Sequence, residues 1–461
     1  MIEQLDLAAM IEKINQAVNG VVWGPFMLLL LLGIGVYFSI RLGFPQLTKV
    51  RFIFRRTLGS FFRKDGSSSG EGVAPFKATA TALAGTLGTG NIVGVATAIT
   101  AGGPGAVFWM WVSAFFGMVT KYAEICLAVK FREKNDRGEP VGGPMYYLEK
   151  GLKQKWLAVL FACFCSLAAF GIGNMTQINA ISQSLETTFH INPLLTGVVC
   201  AVLVAVAVLG GVKSITSVTT AIVPVLALFY IGGAVISLVL KAGELPHVFG
   251  WIFEEAFHFR SAGGGIAGYA MMSAMRYGFS RGIFSNEAGL GSAPIAHAVS
   301  NTKEPVEQGI WGIFEVFVDT IIVCTMTALV ILTSGVFGTG LDGADLTSAA
   351  FGQTLGNFAG SFISVSITLF AFSTLVSWSY YGEQCVQYLF SSKKAVTIYR
   401  CIYVLLVVVG AVMELTLVWG ISDTMNGMMA IPNLIGLAGL SSVVIRETKG
   451  YFHKVEQEGL E

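Results

Sequence analysis

Residues 79–105, TATALAGTLGTGNIVGVATAITAGGPG, crowd Gly85, Gly88, Gly90 and Gly94 around Thr86, Thr89 and Asn91 in the middle of an apolar run. Residues 277–298, YGFSRGIFSNEAGLGSAPIAHA, set Gly282, Gly289 and Gly291 around Ser285, Asn286, Glu287 and Ser292 in the same way. Glycine costs about 1 kcal/mol against alanine inside a helix, and Ser, Thr and Asn compete for its backbone hydrogen bonds. Each stretch therefore predicts an interrupted helix. The rest of the chain sets the solvent: 54% of its 461 residues are hydrophobic and 12% charged, where a soluble domain carries roughly a quarter charged residues. Residues 21 to 40, VVWGPFMLLLLLGIGVYFSI, hold no charge at all, and a bilayer crossing needs about 20 apolar residues. The fold class is an all-α integral membrane protein.

Apolar runs between charged or Gly/Pro-rich stretches place about eleven spans, near residues 21–40, 74–103, 105–130, 156–185, 192–211, 214–240, 266–299, 308–336, 354–390, 394–414 and 418–445. Before them, Leu7, Ile11, Ile14 and Val18 at helical spacing read as a retained interfacial helix. Positive residues stay on the cytoplasmic side. Arg41, Lys49, Arg51, Arg55, Arg56, Arg63 and Lys64 follow the first span; Arg132, Lys134, Arg137, Lys150, Lys153 and Lys155 follow the third. Lys213, Lys303, Lys393, Lys394 and the tail residues Arg446, Lys449 and Lys454 continue the alternation. This puts the N-terminus outside and the C-terminus in the cytoplasm of a cell inner (plasma) membrane. The polar inserts 41–73, 131–155 and 241–265 are too short for independent cores. The basic clusters form no stripe for nucleic acid, and the seven cysteines lie in apolar runs without paired metal or redox spacing.

A helix broken in hydrocarbon frees N–H and C=O groups, at several kcal/mol each, unless protein, water or a ligand takes them. Freed carbonyls suit a cation and freed amides suit a carboxylate, so an amino acid with sodium satisfies both. With the first span set aside, the two breaks begin two sets of five spans, residues 74–241 and 242–446, the positions an inverted repeat gives. Residues 1–73 form the N-terminal part and 447–461 a cytoplasmic tail. Gly90 and Gly94 also match a small-xxx-small packing motif, but packing alone does not require Asn91, Asn286 or Glu287 beside them. A dinucleotide fingerprint needs a soluble βαβ unit, which a membrane span lacks.

The stretches GTLGTGNIVGVATAITAGGPGAVFWMW and FSNEAGLGSAPIAHA, with PVGGPMYYLEKGL at 140–152 and FAFSTLVSWSYYGE at 370–383, resemble the alanine/glycine:cation symporter family, bacterial sodium:alanine symporters in particular. The resemblance covers nearly the whole chain. It implies a five-plus-five inverted repeat of the leucine-transporter (LeuT) type with one additional N-terminal span, and import of a small neutral amino acid with sodium by alternating access. Alanine and glycine lead as substrates, with D-alanine and serine behind them. It further implies that Gly88, Thr89 and Gly90 meet the substrate carboxylate beside Asn91, that carbonyls near Phe284 and Ser285 meet its ammonium under the Phe284 ring, and that Gln177 is a candidate for the carboxylate. Sodium, which prefers oxygen ligands, would take carbonyls near Ala84 and Leu87 and the hydroxyls of Ser373 and Thr374. Trp378 is read as a pocket wall. No cofactor is implied beyond the coupling ion, and no obligate protein partner beyond the bilayer.

Glu287 is a carboxylate at membrane depth and so a functional candidate, or a hydrogen-bonded group that holds the break. Lys121 and Glu124 lie one helical turn apart and read as a structural pair. Glu315 and Asp319 are open, Arg276 and Arg281 lie towards one mouth of a pathway, and His297 is the histidine nearest a candidate site. Proton coupling and glutamine as substrate stay as alternatives. A channel predicts repeated filter loops, and an enzyme predicts a nucleophile with its base or a metal cluster. The spans present neither.

Overall fold

The computed structural model describes residues 2–61, 72–135, 138–257, 264–413 and 416–459. Arg63, Lys64 and Arg137 lie outside the described residues. Apart from one short antiparallel pair, β1 (Glu133–Lys134) with β2 (Pro140–Val141), the described elements are helices.

The chain starts with α1 (Ile2–Val22) and α2 (Pro25–Leu42), followed by three short helices, α3 (Pro45–Thr48), α4 (Val50–Arg56) and α5 (Leu58–Phe61). The first interrupted stretch is α6 (Pro75–Thr86), a 3-10 turn at Thr89–Asn91, and α7 (Val93–Gly102). Then come α8 (Gly105–Lys130), the single turn α9 (Pro144–Tyr146), and α10 (Lys155–Phe170), which runs through a π-helical turn at Gly171–Met175 into α11 (Thr176–Phe189). Two apolar helices, α12 (Pro193–Leu209) and α13 (Gly211–Leu240), lead to α14 (Leu245–Phe257). The second interrupted stretch is α15 (Gly264–Asn286) and α16 (Ala293–His297). α17 (Pro305–Val316) passes through a π-helical stretch at Phe317–Cys324 into α18 (Thr325–Ser334), and α19 (Gly343–Leu355) follows. The chain ends with α20 (Phe358–Phe390), α21 (Lys393–Val412), α22 (Thr416–Gly439) and α23 (Ser441–Gln457). Proline stands at the start of α2, α6, α12 and α17, where its missing N–H has no intrahelical acceptor to lose.

Among the described residues, seven stretches are long and apolar enough to cross a bilayer: Met10–Leu42, Gly105–Lys130, Lys155–Phe189, Gly211–Leu240, Pro305–Ser334, Phe358–Phe390 and Lys393–Val412. An eighth is α22 taken with α23, which bends away from it by 58°. Leu and Val side chains line the outer faces of α12, α13 and α21, where Val206, Leu209, Leu228, Val239 and Leu405 are exposed. Such a surface suits lipid, which is as apolar as the side chains themselves.

Several segments drawn as loops from sequence are helical. Residues 241–265 contain α14, whose Val248, Ile252 and Ala256 are buried at i, i+4, i+8 spacing while Phe249 and Phe253 are exposed. The segment before residue 354 holds α19, capped by the Asp342 carboxylate on the Gly343 N–H at 2.6 Å, so the long helix after it starts at Phe358 rather than 354. Residues 447–457 of the tail belong to α23, which begins inside the span drawn to 445. These helices are short or amphipathic, and a count of uninterrupted apolar residues passes over them. The N-terminal helix lies against α22: Asn19 Nδ2 donates to Asp423 Oδ2 (3.0 Å) and Thr424 Oγ1 (3.1 Å), and Trp23 Nε1 donates to the Asp423 carbonyl (3.0 Å). Two apolar clusters form the interior, and both breaks lie where they meet, Leu87 and Ile92 in one and Ile283 and Leu290 in the other.

Candidate functional site

α6 ends at Thr86, and Gly88 is extended at φ −134° and ψ −156°. The chain then closes one 3-10 turn, in which Ile92 N–H donates to the Thr89 carbonyl at 3.3 Å. Asn91 satisfies what the break frees: its Oδ1 accepts the Gly88 N–H at 3.0 Å. Its Nδ2 reaches across to the other break, donating to Ser285 Oγ at 2.9 Å and to Asp319 Oδ1 at 2.7 Å. Asp319 Oδ2 accepts from the hydroxyls of Ser285 (2.9 Å) and Thr320 (2.7 Å). All of these residues are buried. Thr327 Oγ1 takes the Asn91 carbonyl at 2.8 Å. Gly90 faces the Phe284 ring, where an added methyl would lie 3.3 Å from Cδ1.

The second break opens after Asn286, with Glu287 at a left-handed φ of 55°. Both Glu287 carboxylate oxygens accept hydrogen bonds, one from the Ser292 hydroxyl and one from Trp378 Nε1 at 3.0 Å. Glu287 therefore ties the turn to α20, the hydrogen-bonded alternative raised from sequence. Trp378 stands over Gly173 in the π-helical turn between α10 and α11. About one turn from it on α11, Gln177 donates Nε2 to the Ile172 carbonyl at 3.0 Å and leaves Oε1 buried without a partner. That oxygen lies 3.7 Å from where a methyl on Gly88 would project. In this orientation it complements an ammonium rather than a carboxylate.

The four oxygen donors named from sequence come together. Ser373 Oγ and Thr374 Oγ1 approach the Ala84 carbonyl at 3.3 and 3.1 Å, and Thr374 Oγ1 approaches the Leu87 carbonyl at 3.5 Å. Freed carbonyls at the end of α6 and hydroxyl lone pairs on α20 make an all-oxygen nest, the donor set a hard cation takes. Thr374 Oγ1 also lies 2.8 Å from the projected Gly88 methyl, so any side chain there would enter the nest.

Sequence reading left Asp319 unassigned and passed over Thr327. The signal for Asp319 was present, since a carboxylate inside an apolar span is expensive. One pairing differs from expectation: Lys121 meets Glu315 across the α8–α17 contact (Nζ to Oε1, 3.4 Å), while Glu124 accepts from Asn433 of α22. The i, i+3 spacing allows Lys121–Glu124, but a carboxylate on the tightly packed neighbouring helix takes the ammonium instead. His297 joins the same cluster, with Nε2 2.8 Å from Glu315 Oε2 and Nδ1 2.7 Å from Gln308 Nε2. Phe284 carries the Arg281 guanidinium 5.6 Å above its ring. A cavity of about 590 Å³ opens at the lysine- and arginine-bearing end, lined by Val73, Tyr146, Lys213, Tyr380, Glu383 and Arg400 among others.

Solved structures share this architecture at low identity. A Na+-coupled sialic acid symporter in a substrate-bound outward-open state aligns with a TM-score of 0.55 at 15% identity, over 90% of this chain and 86% of that one. A manganese transporter of Eremococcus coleocola aligns with a TM-score of 0.53 at 13% identity, over 83% and 82%. The fold is shared with these two membrane transporters. The chain belongs to the sodium:alanine symporter family, whose model matches residues 8–461. A sodium/alanine symporter of Methanococcus maripaludis is 48% identical over 94% of this chain and 96% of its own. A transporter of Haemophilus influenzae is 47% identical over 97% of both, and a probable sodium/glutamine symporter of Bacillus subtilis is 39% identical over 96% and 91%. The chain is thus a multi-pass membrane transporter.

Proposed function

We propose that this protein imports alanine or glycine together with sodium across a cell inner membrane by alternating access. The observation that carries the reading is the junction of two interrupted helices, Gly88–Asn91 against Phe284–Ser285, with the oxygen nest of Ala84, Leu87, Ser373 and Thr374 beside it. The amides of Thr89 and Gly90 supply the carboxylate end of the site, with the Gly88 N–H held by Asn91 Oδ1. Carbonyls near Phe284 and Ser285, with Gln177 Oε1, supply the ammonium end. The Phe284 ring against Gly90 and the Glu287-bound Trp378 limit side-chain volume, which favours a small neutral amino acid.

A reading of eleven spans is compatible with the helices described. The eight long stretches are joined by α12, at 17 residues, and by the two interrupted helices α6–α7 and α15–α16. Leaving out the span that ends with α2, residues 74–241 and 242–446 form two sets of five in inverted orientation, with the N-terminus outside and the C-terminus in the cytoplasm. One sodium moving inward releases about 2.3 kcal/mol per 100 mV, and a tenfold gradient adds about 1.4 kcal/mol. The two together sustain an accumulation of several hundredfold.

Uptake of radiolabelled alanine into proteoliposomes tests the reading, with an inward sodium gradient set against potassium-only and proton-gradient controls. Concentrative uptake driven by sodium alone supports it. Uptake driven by protons alone removes the sodium assignment, and preference for glutamine over alanine moves the substrate to that of the Bacillus subtilis relative.

A further inference from the structure

Lys121, Glu124, His297 and Glu315 have no solvent-exposed surface, and Glu287 is 4% exposed. Three carboxylates thus share one ammonium and one imidazole inside the helix bundle. Burying two unbalanced negative charges is prohibitive unless protons or cations neutralise them. The cluster also holds four buried polar atoms without hydrogen-bond partners: Lys121 Nζ, Glu124 Oε2, Gln308 Oε1 and Glu315 Oε1.

The three carboxylates differ in what they already hold. Glu315 has Lys121 on one oxygen and His297 on the other. Glu287 accepts hydrogen bonds on both oxygens, and the Trp378 N–H can only donate. Glu124 accepts from Asn433 on Oε1, with the Gly289 backbone amide close by, and its Oε2 has no partner within hydrogen-bonding geometry. A second metal cation is disfavoured there because Lys121, one helical turn away, already supplies the positive charge. A proton on Glu124 removes one negative charge and adds no cation beside that lysine.

We propose that Glu124 is an exchangeable proton site, and that Lys121 moves from Glu315 to Glu124 when that proton leaves. Residues three apart on a helix are neighbours, so the ammonium reaches either carboxylate by side-chain rotation. The step is a plain ionisation: the Glu124 O–H bond breaks, its electron pair stays on the carboxylate, and the proton passes to water at the lysine-rich end. Glu124 is placed to report its charge to moving parts. Asn433 of α22 joins it to the carbonyl of Gly289 in the second break and to the Tyr147 hydroxyl, and Tyr146 next to Tyr147 lines the 590 Å³ cavity. The titratable or charged groups facing Glu124 are Lys121 of its own helix, Glu315 and His297 of α17 and α16, Glu287 of the break and Tyr147 of the turn after α9. α22 faces it with the uncharged Asn433.

The test has one arm that does not depend on the symport reading and one that does. In the first, infrared difference spectra of the full-length protein in liposomes are recorded between mildly acid and mildly alkaline buffer. A protonated-carboxyl C=O band that disappears on the alkaline side, is absent from Glu124→Gln and returns in Glu124→Asp supports the site. A band that Glu124→Gln leaves unchanged, or no band at all, overturns it. In the second arm, sodium-driven alanine uptake is measured against internal pH. A single group changes its ionised-to-protonated ratio about tenfold per pH unit, so wild-type uptake is expected to vary several-fold where Glu124→Gln is flat. A variant that keeps the wild-type dependence overturns the proposal. If the band behaves as described while no amino acid is transported, the symport reading fails and the proton site stands.

Discussion

The side-chain amide of Asn91 donates to the Asp319 carboxylate at 2.7 Å, which binds the first helix break to the π-helical stretch between α17 and α18. The same residue accepts the Gly88 N–H on its oxygen, so Asn91→Ala strips a partner from a freed amide and from a buried carboxylate at once. An unpartnered buried group costs about 1–3 kcal/mol, more when charged. Asn91→Ala is expected to lower the melting temperature of the purified transporter and to cut sodium-driven alanine uptake at least about tenfold, equivalent to 1.4 kcal/mol. Wild-type uptake in that variant would remove Asn91 from the site.

Thr374 Oγ1 lies within 3.5 Å of the carbonyls of Ala84 in α6 and of Leu87 just after it, a position suited to an oxygen ligand. Thr374→Ala should raise the sodium concentration for half-maximal uptake about tenfold, close to 1.4 kcal/mol, and saturating sodium should restore much of the rate. Thr374→Ser keeps the hydroxyl and is expected to stay near wild type. The check is uptake against sodium, with choline as the replacing cation. Equal sodium dependence in all three proteins would place the ion elsewhere.

The helix breaks were legible in the sequence because glycine with Ser, Thr and Asn in a span is a local signal, and local signals survive without a structure. The convergence of Ala84, Leu87, Ser373 and Thr374 came through resemblance, since nothing in residues 370–383 by themselves points at residue 84. Partner choice was not legible. Lys121 has Glu124 on its own helix and Glu315 nearly two hundred residues away, and only the packing of α8 on α17 decides between them. Asp319 was visible as a costly residue, but its attachment to both Asn91 and Ser285 depends on three elements meeting. α14 and α19 were missed because amphipathic helices lack the uninterrupted apolar run that marks a span.

Lys121→Met leaves Glu315 buried with the His297 imidazole as its remaining partner. Breaking a buried pair from one side costs about 3–5 kcal/mol, whereas replacing both members with apolar groups is often neutral. The single variant is therefore expected to lose much of its thermal stability in detergent, and Lys121→Met with Glu315→Leu to recover a large part. If the double variant is less stable than the wild type by the sum of the two single losses, Lys121 and Glu315 do not act as a pair.

Trp378 Nε1 donates to Glu287 at 3.0 Å, a bond from α20 to the turn of the second break. Hydrogen bonds to charged groups contribute about 1.5–3 kcal/mol, and Trp378→Phe removes this one while keeping an aromatic ring over Gly173. Alternating access needs the broken helices to move against α20, so the bond either forms in one state only or is carried through the cycle. In the first case Trp378→Phe shifts the balance between states and changes the alanine half-saturation constant and the maximal rate in opposite directions. In the second it lowers stability and rate together. The double-mutant cycle with Glu287→Gln separates the direct bond from incidental loss of packing, because residues in contact show coupling of about 0.5–3 kcal/mol and independent ones add. Coupling within that range in uptake is the expected result. Additive losses would mean that Glu287 holds the break through Ser292 alone and that Trp378 serves only as a wall.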